Sequence, residues 1–140
     1  AVGPQFLDSY LSQISGLLKP DGLALIQAIT MPEQRYRRAL KNVDFIQRYI
    51  FPGGMLPGPK AFEAAVNRSG MTISDRFFFG PSYGETLRRW DADFLDAWPK
   101  IERLGFDERF RRMWHYYLKY CEAGFDTGRI DVAQFVIERE

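Results

Sequence analysis

Apolar residues near the start of the chain recur at steps of three and four, which is the pattern of a helix with one buried side. The positions are Leu7, Tyr10, Leu11, Ile14, Leu17 and Leu18. A Lys-Pro-Asp-Gly turn over residues 19–22 ends this helix. The run 23–29 is apolar except for Gln27, so it predicts a strand covered on both faces.

The next segment carries the signals of a helix start. Thr30 is a candidate N-cap, Pro32 suits the first turn, and Glu33 is the acidic residue that follows the cap by three positions. The pattern predicts one helix over residues 32–50. The Pro- and Gly-rich stretch 51–59 cannot continue a regular element and is predicted to be a loop.

Helix-like and strand-like patterns alternate over the rest of the chain. A short helix after the loop should end at Gly70, and residues 71–79 have the β-branched and aromatic content of a strand. A helix rich in large aromatic residues is predicted from Glu85, a second such helix follows Gly105, and residues 130–137 are predicted to be a final strand. The expected fold class is therefore α/β, with about three strands and five or so helices.

Composition narrows the function classes. The 140 residues, of which 46% are hydrophobic and 26% charged, suit one globular domain, and the 16% aromatic content exceeds the needs of a small core. A net charge of +1 gives no overall attraction to nucleic acid, so no nucleic-acid partner is expected. A single cysteine, Cys121, excludes an intramolecular disulfide and fits a reducing cytoplasm.

The beginning of the sequence is typical of a piece of a larger protein, because the chain starts without Met at a loop-like Ala1–Pro4 segment. A strand of the buried type at 23–29 also needs a partner strand. We expect that strand to precede Ala1, and we expect the exposed sheet edge to favour a homo-oligomer.

Ordered blocks along nearly the whole chain resemble the second half of the cyclopropane-fatty-acid and mycolic-acid cyclopropane synthases. The blocks are residues 19–30, 49–57, 80–87, 94–99 and 110–118. The resemblance implies that residues 1–140 are the C-terminal half of a class I methyltransferase domain, a Rossmann-like sheet with lipid-channel helices around 32–50 and 85–124. It also implies S-adenosylmethionine as the cofactor, held by a glycine-rich turn outside this chain, so no cofactor-binding residue is expected here.

In this family a methyl group passes to the double bond of an unsaturated phospholipid acyl chain, and bound bicarbonate takes the proton whose loss closes a cyclopropane. The cationic intermediate needs a dry channel with aromatic walls. Phe51, Gly53, Gly54, Trp114 and Tyr117 are the candidate residues of that channel, with 51–54 expected at its entrance. The alternative for residues 51–54 is a plain surface turn. The resemblance also implies a cytoplasmic enzyme that is peripheral to the inner membrane.

The bicarbonate site, by the same resemblance, includes Tyr83, Gln27 and Ile29, and its carboxylate would precede Ala1. Tyr83 matches the family's bicarbonate-contacting tyrosine; the alternative is an aromatic residue packed under a loop at a strand end. Gln27 stands where many members carry histidine, so the anion would be held without an imidazolium. Alternatively, Gln27 is a polar strand residue whose amide is satisfied by the backbone. This departure leaves cyclopropane, methyl-branched and methylene products open.

Other polar residues carry weaker signals. His115 has no second histidine or cysteine at ligand spacing, so no metal site is expected, and Asp91 and Asp93 suit a solvated face. Two basic clusters would either attract anionic headgroups or pair with nearby acids. They are Arg35, Arg37, Arg38 and Lys41, and Arg109, Arg111 and Arg112. The rival to the enzyme hypothesis is a non-catalytic helical module that binds lipid or protein.

Overall fold

The computed structural model describes residues 3–139 and places three strands in one sheet. The strands are β1 (Leu23–Thr30), β2 (Met71–Phe78) and β3 (Asp131–Arg139). β3 lies in the middle and pairs antiparallel with both neighbours, so β1 and β2 run in the same direction. The prediction of an α/β fold with three strands is confirmed.

The helices connect and flank these strands. A 3-10 turn at Pro4–Phe6 leads into α1 (Leu7–Leu17), and the later helices are α2 (Glu33–Ala39), α3 (Phe45–Tyr49), α4 (Pro59–Arg68), α5 (Gly80–Asp96), α6 (Trp98–Glu102) and α7 (Glu108–Asp126). The chain divides into two compact units. The sheet unit runs up to Phe78 and resumes at Ile130, and the helical unit is Phe79–Arg129.

The core of the sheet unit lies where α1 and α4 meet one face of the sheet. Its fully buried residues are Leu11, Phe62, Ala65, Val66, Met71, Ala133, Phe135 and Ile137. The rings of Phe62 on α4 and Phe135 on β3 lie 4.8 Å apart between centroids. β3 lies between β1 and β2, and its alternate residues Ala133, Phe135 and Ile137 face this core.

The other face of β1 is open. Alternate residues of a strand point to opposite faces, and Ala24, Ile26 and Ala28 pack against the core. Leu23 and Leu25 are each 63% exposed. The prediction of a strand covered on both faces is therefore wrong within residues 3–139, because an apolar run shows only that both faces tolerate burial.

The predicted single helix over 32–50 is also wrong, because α2 ends at Ala39 and α3 begins anew at Phe45. The Asp44 carboxylate accepts a hydrogen bond from the Gln47 backbone N–H at 2.9 Å, and the Gln47 side chain accepts one from the Asp44 N–H at 3.1 Å. This capping box starts α3. Thr30 is not an N-cap; it ends β1 and is 2% exposed.

The helical unit packs α5 against α7. α5 begins at Gly80, five residues before the predicted Glu85, because Pro81 is accommodated in its first turn. Gly84 permits close approach of the two helices, since a Cβ there would lie 2.5 Å from the Asp126 Oδ1. α5 ends at Asp96, and Trp98 begins the separate helix α6.

Candidate functional site

Tyr83 lies in the first turn of α5 and not in a loop at the strand end. Its backbone N–H donates to the Phe79 carbonyl at 3.2 Å. Three aromatic rings surround its own, with centroid distances of 6.4 Å to Phe79, 6.2 Å to Trp90 and 5.1 Å to Phe125. The half-buried Tyr83 ring is thus held by helix packing within the helical unit.

Tyr117 and Trp114 continue this aromatic cluster along α7. The Trp114 ring stacks on Phe110 at 5.7 Å and lies 5.0 Å from Tyr117. Burial, reinforced by the charges of Cys121 and Tyr83, raises the pKa of Tyr117 to about 12. The phenol of Tyr117 therefore remains a neutral hydrogen-bond donor over the physiological range.

Gln27 and Ile29 share one face of β1, because they are two residues apart on a strand. They stand opposite Gln134 and Val132 of β3. The exposed Gln27 accepts a hydrogen bond on Oε1 from Gln134 Nε2 at 3.3 Å. The hydrogen-bond partner of the Gln27 amide is thus a side chain and not the backbone, and its N–H groups can donate to an acceptor such as an anion.

The loop after α3 is an ordered turn. The Phe51 N–H donates to the Ile46 carbonyl at 2.8 Å, and the Gly54 N–H donates to the Phe51 carbonyl at 2.9 Å. Gly53 has a φ of +78°, which favours glycine. Gly54 is buried, whereas Phe51 is 45% exposed.

The structure therefore brings the candidate residues into two sets. Tyr83, Trp114 and Tyr117 lie in the helical unit, and Gln27 and Ile29 lie in the sheet unit. The channel loop 51–54 is also in the sheet unit. Tyr117 interacts electrostatically with both Cys121 and Tyr83 of the helical unit. The assignment of both sets to one bicarbonate site stays a prediction.

A buried carboxylate with two partly exposed partners lies in the helical unit and was not predicted from the sequence. Asp91 is 3% exposed and lies 2.6 Å from His115 Nδ1 and 3.3 Å from Lys119 Nζ. The expectation that Asp91 is solvated is therefore wrong. The signal was the spacing of Gly84, Leu87 and Asp91, which places the carboxyl on the buried stripe of α5.

The second basic cluster is partly paired. Arg111 contacts the Glu108 carboxylate at 3.3 Å and lies over the Trp98 ring at 5.6 Å. Arg111, Arg112, Glu108 and His115 line a depression of about 290 Å³. Both charge signs line its wall, so the cluster favours the pairing alternative over free attraction of anions.

Comparison with known proteins decides the family. A family model described as mycolic acid cyclopropane synthetase matches residues 1–135. The chain belongs to the mycolic acid cyclopropane synthetase family. The predicted resemblance is therefore confirmed.

Relatives within and near this family match the full chain. It is 42% identical over 141 residues to tuberculostearic acid methyltransferase UfaA1 of Mycobacterium tuberculosis, covering 100% of this chain and 33% of that protein. It is 36% identical over 139 residues to cyclopropane-fatty-acyl-phospholipid synthase of Escherichia coli, covering 99% of this chain and 35% of that protein. The chain thus spans about a third of the length of these relatives.

Solved structures of the family share the fold. The mycolic acid cyclopropane synthase CmaA1, complexed with SAH and CTAB, matches with a TM-score of 0.86 and 28% identity. The match covers 98% of this chain and 51% of that one. The three-stranded sheet and its helices are accordingly part of a class I methyltransferase fold, as predicted. Among residues 3–139, no helix is long and apolar enough to cross a membrane.

Proposed function

We propose that this chain acts as the C-terminal part of an S-adenosylmethionine-dependent lipid methyltransferase. The enzyme adds a methyl or methylene group to the double bond of unsaturated phospholipid acyl chains. One observation carries the proposal: the family match extends over residues 1–135. Tyr83, the bicarbonate-contacting tyrosine by resemblance, lies inside an aromatic cluster, which supports the role proposed for it. The names of the two curated relatives fit this class of reaction.

S-adenosylmethionine supplies the methyl group in such a reaction. A nucleoside cofactor of this kind is held at a glycine-rich turn between a strand and a helix. Among residues 3–139, β1 is followed by Met31 and Pro32 and β2 by Phe79, Gly80 and Pro81, and neither junction has the G-x-G-x-x-G spacing of such a turn. The residues of this chain therefore do not fit the cofactor seat, and we assign that seat to residues outside them.

The acyl chain is proposed to lie against the aromatic residues of the helical unit. Trp114, Tyr117 and Tyr83 offer ring faces and a neutral phenol, and Phe51 with its glycines belongs to the entrance. Aromatic faces stabilise a carbocation electrostatically without attacking it. They also exclude water, which would quench the cation. The lipid-channel role of the helices around 32–50 and 85–124 rests on the same argument.

Bicarbonate is proposed to accept the proton that the methylated acyl chain loses. The Tyr83 hydroxyl and the Gln27 amide N–H groups donate to its oxygens, with Ile29 contributing its backbone. The orientation of Gln27 supports this, because its Oε1 is turned to Gln134 and its N–H groups remain to donate. Without an imidazolium the anion is held by neutral donors alone, and the same chemistry admits cyclopropane, methyl-branched and methylene products.

Lipid analysis tests the proposal. The complete protein that contains this chain is produced in a bacterium whose lipids lack the modification, and acyl chains are analysed by mass spectrometry. Unsaturated chains should gain the mass of one methylene. Loss of the double bond separates a ring from a methylene product.

Two variants sharpen the result. Tyr83→Phe should lower product, whereas Tyr10→Phe, in a 43% exposed tyrosine of α1, should not. Unchanged lipids from a folded protein that binds S-adenosylmethionine would contradict the proposal and favour the non-catalytic binding module.

A further inference from the structure

Charge is unevenly distributed along the chain. The basic segment, residues 33–51, spans α2 and α3 and holds five basic and two acidic side chains, although the whole chain has a net charge of only +1. The basic side chains are Arg35, Arg37, Arg38, Lys41 and Arg48. The remainder of the protein is therefore net negative, and the positive charge concentrates in one surface segment.

Several basic residues elsewhere are paired with acids. Arg68 contacts Asp8 at 2.6 Å, and Arg76 contacts Glu63 at 2.6 Å. Arg88 reaches three carboxylates of the helical unit. In contrast, the five basic side chains of the basic segment form no ion pair with any carboxylate of residues 3–139. Their charge is available to an external partner.

The two acids of the segment are engaged in local structure. Asp44 caps α3, and Glu33 lies against Gly58 with one carboxylate oxygen buried. Lys41 follows Arg37 by four residues and Arg38 by three, so its side chain lies on the same side of α2 and the turn after it as theirs. Like charges at this spacing repel one another, and an anionic surface would relieve that repulsion.

Large apolar side chains are exposed in the same segment. Leu40 is 50% exposed, Val43 74% and Tyr49 50%. Arg48 lies over the Tyr49 ring at 5.4 Å. Cationic side chains combined with exposed aliphatic and aromatic ones are typical of peptides that lie at the boundary between lipid headgroups and acyl chains.

We propose that the basic segment docks the protein on the surface of an anionic phospholipid bilayer. Its arginines and Lys41 contact headgroup phosphates, and Leu40 and Val43 enter the acyl boundary. Nucleic acid offers the same phosphate charge but no apolar layer for Leu40 and Val43, so the exposed apolar side chains favour the bilayer. The inference deepens the proposed function, because a phospholipid acyl chain must be collected from a bilayer.

Vesicle binding tests the inference. The protein is sedimented with vesicles of phosphatidylcholine alone and of phosphatidylcholine with phosphatidylglycerol. The variant Arg35→Gln, Arg37→Gln, Arg38→Gln removes three positive charges and should weaken partitioning onto the mixed vesicles by about 150-fold. Each basic residue near the surface contributes about 1 kcal/mol, and a tenfold change in the partition constant corresponds to about 1.4 kcal/mol. High salt should weaken the wild type similarly.

A matched control removes the same charge elsewhere. The variant Arg68→Gln, Arg89→Gln, Arg103→Gln carries three neutralised exposed arginines outside the basic segment and should change vesicle binding by no more than a few-fold. Circular dichroism verifies that both triple variants are folded. Equal weakening in the two triple variants would overturn the inference, because attraction would then follow net charge alone.

Apolar contacts are tested separately. Leu40→Ser with Val43→Ser should lower binding to mixed vesicles at least tenfold, whereas Leu104→Ser, in a 77% exposed leucine of the helical unit, should not. Inorganic phosphate at matched ionic strength should not displace the protein from vesicles. Displacement by phosphate, or equally tight binding to an oligonucleotide, would contradict a bilayer partner.

The outcome is independent of catalysis. In the complete protein, the arginine triple variant should lose activity on vesicles but retain activity on phospholipid dispersed in detergent micelles. Absence of activity in every format, with vesicle binding intact, would refute the proposed function and leave the docking surface standing. If the arginine triple variant keeps both vesicle binding and activity on vesicles, the docking surface is refuted and the proposed function is not.

Discussion

Replacement of His115 with alanine should destabilise the helical unit more than replacement of Asp91 with asparagine. The carboxylate of Asp91 is 4% exposed, while the side chains of His115 and Lys119 are 42% and 44% exposed. His115→Ala leaves a buried carboxylate with Lys119 as its remaining cationic partner. Asp91→Asn instead leaves two side chains that water can reach.

The magnitudes follow from this asymmetry. Loss of a hydrogen bond to a charged group costs about 1.5–3 kcal/mol, and an uncompensated buried charge costs about 3–5 kcal/mol. Lys119 still compensates Asp91 at 3.3 Å. We therefore expect His115→Ala to lower the free energy of unfolding by about 2–3 kcal/mol. For Asp91→Asn we expect about 1 kcal/mol, because asparagine retains an acceptor for His115.

Urea unfolding followed by tryptophan fluorescence is the appropriate assay. The three tryptophans of the chain, Trp90, Trp98 and Trp114, all lie in the helical unit. The exposed neighbour Asp93 provides the control, and Asp93→Asn should stay within about 0.5 kcal/mol of the wild type. The double variant should show a coupling of about 1–2 kcal/mol between Asp91 and His115.

The reverse order of the two single variants would refute the reasoning, because it would mean that the exposed partners and not the carboxylate carry the burial penalty. Values for both variants within about 0.5 kcal/mol of the wild type would show that the Asp91–His115 contact does not hold α5 to α7.

Three further predictions concern other residues. Between pH 10 and about 12, folded Tyr117 retains a proton that the unfolded chain loses, so the free energy of unfolding falls as pH rises. Tyr117→Phe should lessen that fall by about 1 kcal/mol in urea unfolding, and an equal pH dependence in the variant and the wild type would contradict this. Gly70→Ala should lower the free energy of unfolding by about 1 kcal/mol because the φ of Gly70 is +72°. Gly16→Ala, where a Cβ would meet open space, should raise it by about 0.5–1 kcal/mol, and equal shifts in melting temperature for the two variants would count against this. Tyr83→Phe in the complete protein should lower product formation about 10- to 100-fold through loss of a hydrogen bond to an anion, and wild-type turnover would exclude that role.

Strong periodicity made much of the fold predictable. α1 and α7 have long apolar stripes, and the three strands combine apolar or β-branched runs with clear turns at their ends. The errors arose where local signals compete. Pro81 suits the first turn of a helix, so α5 begins before the predicted Glu85, and the capping box at Asp44 interrupts an apparently continuous helical pattern.

The candidate site was less accessible to sequence reasoning. The resemblance supplied Tyr83 and Gln27, but not the side chains around them. Gln134, the partner of Gln27, lies 107 residues further along the chain. Asp91 and His115 are on different helices, so their contact depends on how α5 and α7 pack. The local sequence pattern does not predict such long-range contacts.

Transfer of a labelled methyl group tests the central claim most directly. The complete protein is incubated with S-adenosylmethionine labelled in its methyl carbon and with phospholipid that carries a cis-unsaturated acyl chain, and the label in the chain is counted. We predict label in the acyl chain at the former double bond, in an amount that falls sharply for Tyr83→Phe. Label absent from the acyl chain, or found only in the headgroup, would contradict the account.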